Sequence, residues 1–225
     1  MKPTLFKISS LLLLLFLFVA GCQKDEPRTP VFAGIYDADM LYHEFNPPFQ
    51  IALQTDSTKD IQYGIDSIDI DLDGMFDLFI SQRIYLDWRD DFNRLYLKDY
   101  NFPFSGFTLQ NGLEVASKKE TFSIGLGHTN GTRWVDTLHY ESRIDKIDYW
   151  QNSGDKTWLL NTNIWSWAAP PITFWGSYGT WYKLINTEMY IGIRMIDNLD
   201  YKLGWIKVKV YSRDNFEIVS YAIEK

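Results

Sequence analysis

The stretch Glu188-Met189-Tyr190-Ile191-Gly192-Ile193-Arg194-Met195 puts Met189, Ile191, Ile193 and Met195 on one face of an extended strand. The same alternation continues downstream. Over residues 204–211, Ile206, Val208 and Val210 share a face, and Trp205, Lys207, Lys209 and Tyr211 take the other. Over residues 216–224, Val219, Tyr221 and Ile223 alternate again. Turn-forming residues separate these runs, Asp197-Asn198-Leu199-Asp200 and then Ser212-Arg213-Asp214-Asn215. Three successive antiparallel strands make a meander, and a period of two implies one covered face.

Working back from there, no segment carries a helical period with caps. Short aromatic and β-branched runs alternate with Gly, Asn, Asp and Pro. Strands are expected over residues 50–53, 61–70, 77–86, 94–98, 113–116, 121–126, 133–140, 157–160, 173–175 and 181–184. A chain that is 46% hydrophobic and 17% aromatic has the material for a core between two such sheets. The expected fold class is all-β, an antiparallel β-sandwich or jelly roll. No internal repeat is visible, which argues against a propeller.

Between two of these strands lies Asp69-Ile70-Asp71-Leu72-Asp73-Gly74-Met75-Phe76-Asp77. Four carboxylates fall at positions 1, 3, 5 and 9, with glycine at position 6 for the sharp reversal. That spacing suits a hard cation held by oxygen, and calcium in a structural role is the expected cofactor. The expected metal ligands are Asp69, Asp71, Asp73 and Asp77 through their side chains and Met75 through its carbonyl. Position 12 is Ile80 rather than glutamate, and the residues that follow read as strand, so a helix-loop-helix site is excluded. A further carboxylate would come from Asp66, Asp87, Asp90 or Asp91. The alternative is an exposed acidic strand in which aspartates alternate with Ile68, Ile70 and Leu72. Against it stands the depletion of aspartate in strands.

The N-terminus has a different character. Lys2 and Lys7 precede an apolar run from Leu11 to Ala20, the charged and apolar regions of an export signal. The run ends in Val19-Ala20-Gly21-Cys22, which resembles a bacterial lipobox. The resemblance implies cleavage after Gly21 and a diacylglyceryl group on Cys22. Gln23-Lys24-Asp25-Glu26 resembles the surface-export signal of Bacteroidetes-type lipoproteins. Pro27 to Pro30 then complete an extended linker. The expected organisation is a signal peptide at 1–21, a lipidated tether at 22–32 and one β-sandwich domain at 33–225. The expected location is the outer membrane, lipid-anchored and facing the cell exterior, with the membrane as a partner through the anchor. Cys22 is the only cysteine, so no disulfide framework exists.

Part of the body also resembles a known pattern. The Asp-rich loop, Tyr190-Ile191-Gly192-Ile193-Arg194, Leu203-Gly204-Trp205-Ile206-Lys207-Val208 and Ser220-Tyr221-Ala222-Ile223-Glu224 are similar to exported, surface-sorted bacterial β-sandwich proteins of largely uncharacterised function. Leu203 and Ile223 depart from that pattern, which has tyrosine at the first of these positions. The resemblance implies a β-sandwich and carries over no catalytic residue.

Charge and residue usage narrow the function classes. Cleavage at the lipobox removes Lys2 and Lys7 and no acid, which takes the formal charge from −7 to −9. An acidic body offers no footprint for nucleic acid. His43, His128 and His139 lack metal-ligand spacing, and no nucleophile elbow or phosphate-cradling loop occurs. Glu114, Glu120, Asp136 and Glu141 are acids that a glycoside-active enzyme would need in facing pairs, but nothing singles them out. Catalysis is not expected, and no catalytic residue is assigned. Trp158, Trp165, Trp167, Trp175 and Trp181 crowd one region. Most are expected in the core, with Trp165, Trp167 and Trp175 as candidate ligand-binding platforms. A binding role toward a glycan or a protein is expected, the alternatives being a glycoside-active enzyme or a structural envelope component.

Overall fold

The computed structural model describes residues 28–58, 61–85, 104–124, 128–151, 156–161, 181, 184–197, 200–212 and 215–225. They form twelve strands: β1 Met40–Phe49, β2 Gln54–Asp56, β3 Ile61–Ile68, β4 Leu78–Tyr85, β5 Phe104–Leu109, β6 Leu113–Ile124, β7 His128–Val135, β8 Trp150–Gln151, β9 Lys156–Asn161, β10 Thr187–Asp197, β11 Asp200–Ser212 and β12 Asn215–Glu224. The all-β antiparallel sandwich expected from the sequence is the observed fold. Among the described residues, no helix is long and apolar enough to cross a membrane.

One sheet runs β1-β12-β11-β10 and ends on the start of β6, and the other runs β2-β3-β4-β5-β9-β7 and ends on the remainder of β6. β6 joins the two. Its residues Leu113, Glu114 and Val115 pair with β10, while Ser117 to Ile124 pair with β7. The sequence suggests two short strands here, 113–116 and 121–126, with the charged run Lys118-Lys119-Glu120 in the gap. Those residues keep their ladder to Trp134, Arg133 and Thr132, and a polar run does not end a strand whose backbone stays paired.

The aliphatic residues that announced the meander do form the core. Met189, Ile191, Ile193, Met195, Ile206, Val208 and Val210 meet Ile68, Leu78, Ile80 and Leu109 of the opposite sheet. At roughly 1.5–3 kcal/mol for each large side chain removed from water, this layer is the main stabilising term. β12 departs from simple alternation. Lys207 faces Ser220 while the next residue, Val208, faces Ile218, so Val219 is an extra residue in a bulge. Ile218 and Phe216 therefore enter the core beside Tyr221 and Ile223, and Val219 does not. At Gly204 a Cβ would collide with the Ala222 carbonyl of β12, so the close approach of these two strands requires glycine.

The meander is covered on both faces, not one. A second apolar cluster on its outer side gathers Val31, Ala33, Ile144, Tyr190, Leu203, Trp205 and Ala222. The cover consists of residues 31–35 and the segment between β7 and β8. Ile144 N–H donates to Val31 O at 2.9 Å, Ala33 N–H to Ser142 O at 2.9 Å, and Leu138 N–H to Tyr190 O at 2.8 Å. Residues 28–32, assigned to the tether, are docked on the body, because Val31 is an apolar side chain with a buried site waiting for it. Arg28 pairs with Glu224 and Asp200, and its guanidinium lies 4.2 Å from the Tyr201 ring centre.

β1 and β5 are not among the strands expected from the sequence. β1 contains Pro47 and Pro48, yet it is an edge strand of its sheet, where a missing N–H is tolerated. Its ladder to β12 skips from Glu44 to Phe49. The strands expected at 94–98 and 173–175 lie outside the described residues, as do Cys22, Trp165, Trp167 and Trp175.

Candidate metal centre

β3 ends at Ile68 and β4 begins at Leu78, paired to each other, so the nine residues between must reverse the chain within one hairpin. Asp77 N–H donates to Ile68 O at 3.1 Å and closes the base of the loop. Leu72 and Gly74 take positive φ values of 63° and 94°. Aspartate side chains satisfy the N–H groups that the reversal leaves free. Asp69 Oδ2 accepts from Gly74 N–H at 2.8 Å, Asp73 Oδ1 from Met75 N–H at 2.7 Å, and Asp77 Oδ2 from Ile70 N–H at 2.8 Å.

Of the five expected ligands, three come together. Asp69, Asp71 and Asp77 each bring a carboxylate oxygen to within 4.8 Å of the other two. Asp73 is exposed and spends an oxygen on the Met75 N–H, outside that cluster. Met75 is exposed as well. Asp66, one source considered for a further ligand, accepts from its neighbour Ser67 N–H at 2.8 Å and is not in the cluster. Asp87, Asp90 and Asp91 lie outside the described residues.

Two residues that the sequence did not nominate support the cluster. Asn111, in the turn between β5 and β6, donates its amide to Phe76 O at 3.1 Å and to Asp77 Oδ1 at 3.2 Å. Tyr221 of β12 donates its hydroxyl to Asp69 O at 3.1 Å, which ties the loop to the other sheet. Asn111-Gly112 is a recognisable turn dipeptide, but its side-chain target is 34 residues away.

The electrostatics are those of a site short of positive charge. Two like charges at 4 Å repel by about 4 kcal/mol at an effective dielectric of about 20. Burial pushes the Asp77 carboxyl above its ordinary value. Asp71 and Asp69 push it the same way, while the Ile70 N–H and the Asn111 amide oppose them. Tyr221 is pushed up to about 12, by burial first and then by Asp69, Asp77 and Asp71. Asp69 Oδ1 is buried and has no hydrogen-bond partner, in a fold that satisfies most such atoms. The donors are all carboxylate oxygens, which suits calcium or magnesium and not the softer transition metals.

Two of the acids considered for catalysis, Glu114 and Asp136, have partners within the fold. Glu114 is buried opposite Arg194 of β10, whose Nε donates to Glu114 Oε2 at 2.6 Å while its guanidinium lies 4.7 Å from the Trp150 ring centre. Asp136 accepts from Thr137 N–H at 2.9 Å. Trp181 is fully buried and donates its indole N–H to Val135 O at 3.0 Å, the core role expected for most tryptophans in its region. No family model, curated protein or solved structure matches this chain.

Proposed function

We propose that the 69–77 loop binds one calcium ion through Asp69, Asp71 and Asp77, and that the ion staples the β3–β4 hairpin of a lipid-anchored, envelope-exposed binding protein. The observation that carries the cation is the buried, unpartnered Asp69 Oδ1 beside two further carboxylates. A divalent ion supplies the missing partner and cancels the mutual repulsion. Calcium takes six to eight oxygens, so backbone carbonyls, Asp73 or water complete its shell. The lipid anchor rests on the lipobox ending at Cys22, and the surface location on Lys24-Asp25-Glu26 directly after it. The binding role, toward a glycan or a protein, is supported by the exposed aromatic and aliphatic side chains that the folded body leaves in water.

The test is thermal unfolding of residues 22–225 carrying Cys22→Ser, in excess calcium and in chelator. A hundredfold excess over Kd adds about 2.7 kcal/mol, a rise of roughly 5–10 °C for a domain of this size. Asp71→Ala is expected to abolish the rise while leaving the midpoint in chelator almost unchanged. Equal midpoints with and without calcium in the parent chain would remove the cation reading.

A further inference from the structure

The aspartate loop stands at the end of the sandwich where the N-terminal chain joins it. Asp77 O accepts from Gln110 N–H at 2.8 Å, and Gly112 O accepts from Ile196 N–H at 3.1 Å. One residue beyond Ile196, β10 ends at Asp197 opposite Asp200, and Asp200, Tyr201 and Glu224 hold Arg28. Cys22 precedes Arg28 by six residues. Fully extended, six residues span about 20 Å. A lipid on Cys22 therefore keeps this end, and not the opposite one, close to the bilayer.

The same end exposes apolar side chains. Leu72, Met75 and Phe76 are 61%, 55% and 53% exposed, and Ile196 and Tyr201 are exposed nearby. Leu72 also holds a left-handed backbone conformation that glycine or asparagine adopts more easily. Neither burial nor backbone preference accounts for a leucine at this position.

We propose that this end of the molecule is its membrane-facing surface, with Leu72, Met75 and Phe76 inserted at headgroup depth. The proposal rests on the lipid-anchor and calcium reading above. Apolar side chains at the acyl boundary and an electrostatic bridge to headgroups are together what interfacial binding requires. Without a cation the clustered aspartates repel a phosphate surface. With one, half of the loop's formal charge is cancelled, and coordination positions otherwise held by water accept phosphate oxygens.

The test uses residues 22–225 with Cys22→Ser, which cannot be acylated, and vesicles of phosphatidylcholine and phosphatidylglycerol. The chain is expected to sediment with vesicles in calcium. Replacing Leu72, Met75 and Phe76 together by serine is expected to weaken sedimentation tenfold or more, while Ile185→Ser, an exposed site at the opposite end, leaves it unchanged. In the same cysteine-free background, a polarity-sensitive fluorophore on Met75→Cys is expected to shift to the blue on vesicle addition, and one on Ile185→Cys is not. Undiminished sedimentation of the triple variant, or an unshifted fluorophore at position 75 on sedimented protein, overturns the proposal. If calcium raises the thermal midpoint but no sedimentation occurs, docking fails and the calcium site stands. If calcium leaves the midpoint unmoved while sedimentation remains tip-dependent in chelator, the calcium site fails and docking stands. Failure to incorporate radiolabelled fatty acid at Cys22 in cells removes the anchor and the proposal with it.

Discussion

At the level of single residues, the carboxylates of the loop have unequal roles. Asp73 is a turn residue, holding the Met75 N–H, whereas Asp77 is buried and serves both the loop and the cluster. Burial raises the Asp77 carboxyl above its ordinary value, so the folded chain holds that proton more tightly than the unfolded one. The stability this contributes is fully present below the unfolded value and is lost as pH rises through the raised folded value. In chelator, the difference in urea midpoint between the parent and Asp77→Asn should therefore change in that window, from about pH 4 upward, the parent falling relative to the variant. In calcium the trend should reverse for the parent, because the ion displaces the proton. A parent-minus-variant difference that stays flat with pH in chelator would show that Asp77 is ordinary in its titration.

At the level of elements, the β5–β6 turn shows how much of the site was legible in the sequence. Asn111 and Gly112 both take positive φ, 51° and 77°, and an Asn-Gly pair is a local signal for such a turn. What the Asn111 amide does for Phe76 and Asp77 depends on strand pairing between distant segments, and no local pattern carries it. Two variants separate the roles. Asn111→Gly keeps the turn and loses the hydrogen bonds, for an expected loss of about 1–2 kcal/mol and weaker calcium binding. Asn111→Ala also strains the turn and should lose roughly 1 kcal/mol more. Urea unfolding and calcium titration measure both, and a glycine variant equal to the parent would show that the amide is idle. The same contrast runs through the fold. Met189 to Met195 and Ile206 to Val210 were legible because a buried face writes itself as alternation. The Val219 bulge was not, since an extra residue in one strand is defined only by its partner. β1 was hidden by Pro47 and Pro48, whose tolerance depends on the strand lying at a sheet edge. Within the loop, the aspartate spacing announced the cluster, but the use of Asp73 as a turn cap left only three of the four carboxylates together.

At the level of the whole molecule, the sandwich is closed on its outer side by Val31, within the expected tether, together with Ala33 and the segment between β7 and β8. Proline at positions 27 and 30 suggests an extended tether, but such a chain can dock when its side chains have somewhere to go. Val31 and Ala33 are buried against Ile144, Tyr190 and Trp205, and Glu141 N–H donates to Ala33 O at 2.9 Å. Trp205 in turn donates its indole N–H to Ile35 O at 2.9 Å, so the cover is fixed by polar as well as apolar contacts. The consequence is a sharp dependence of stability on where the folded chain begins. A chain starting at Arg28 keeps the ion pairs to Asp200 and Glu224 and the whole second cluster. A chain starting at Gly34 loses the buried valine and the backbone bonds that Val31 and Ala33 make to the segment between β7 and β8. Removing one large aliphatic group from burial and breaking these hydrogen bonds is expected to lower stability by roughly 3–6 kcal/mol. Urea midpoints of the two chains measure the difference, and the near-ultraviolet dichroism of Trp205, read against Trp205→Phe, reports whether the outer cover has opened. Equal midpoints and an unchanged Trp205 signal would leave residues 28–32 in the tether. They would also lengthen the reach between Cys22 and the aspartate loop on which the membrane-facing orientation depends.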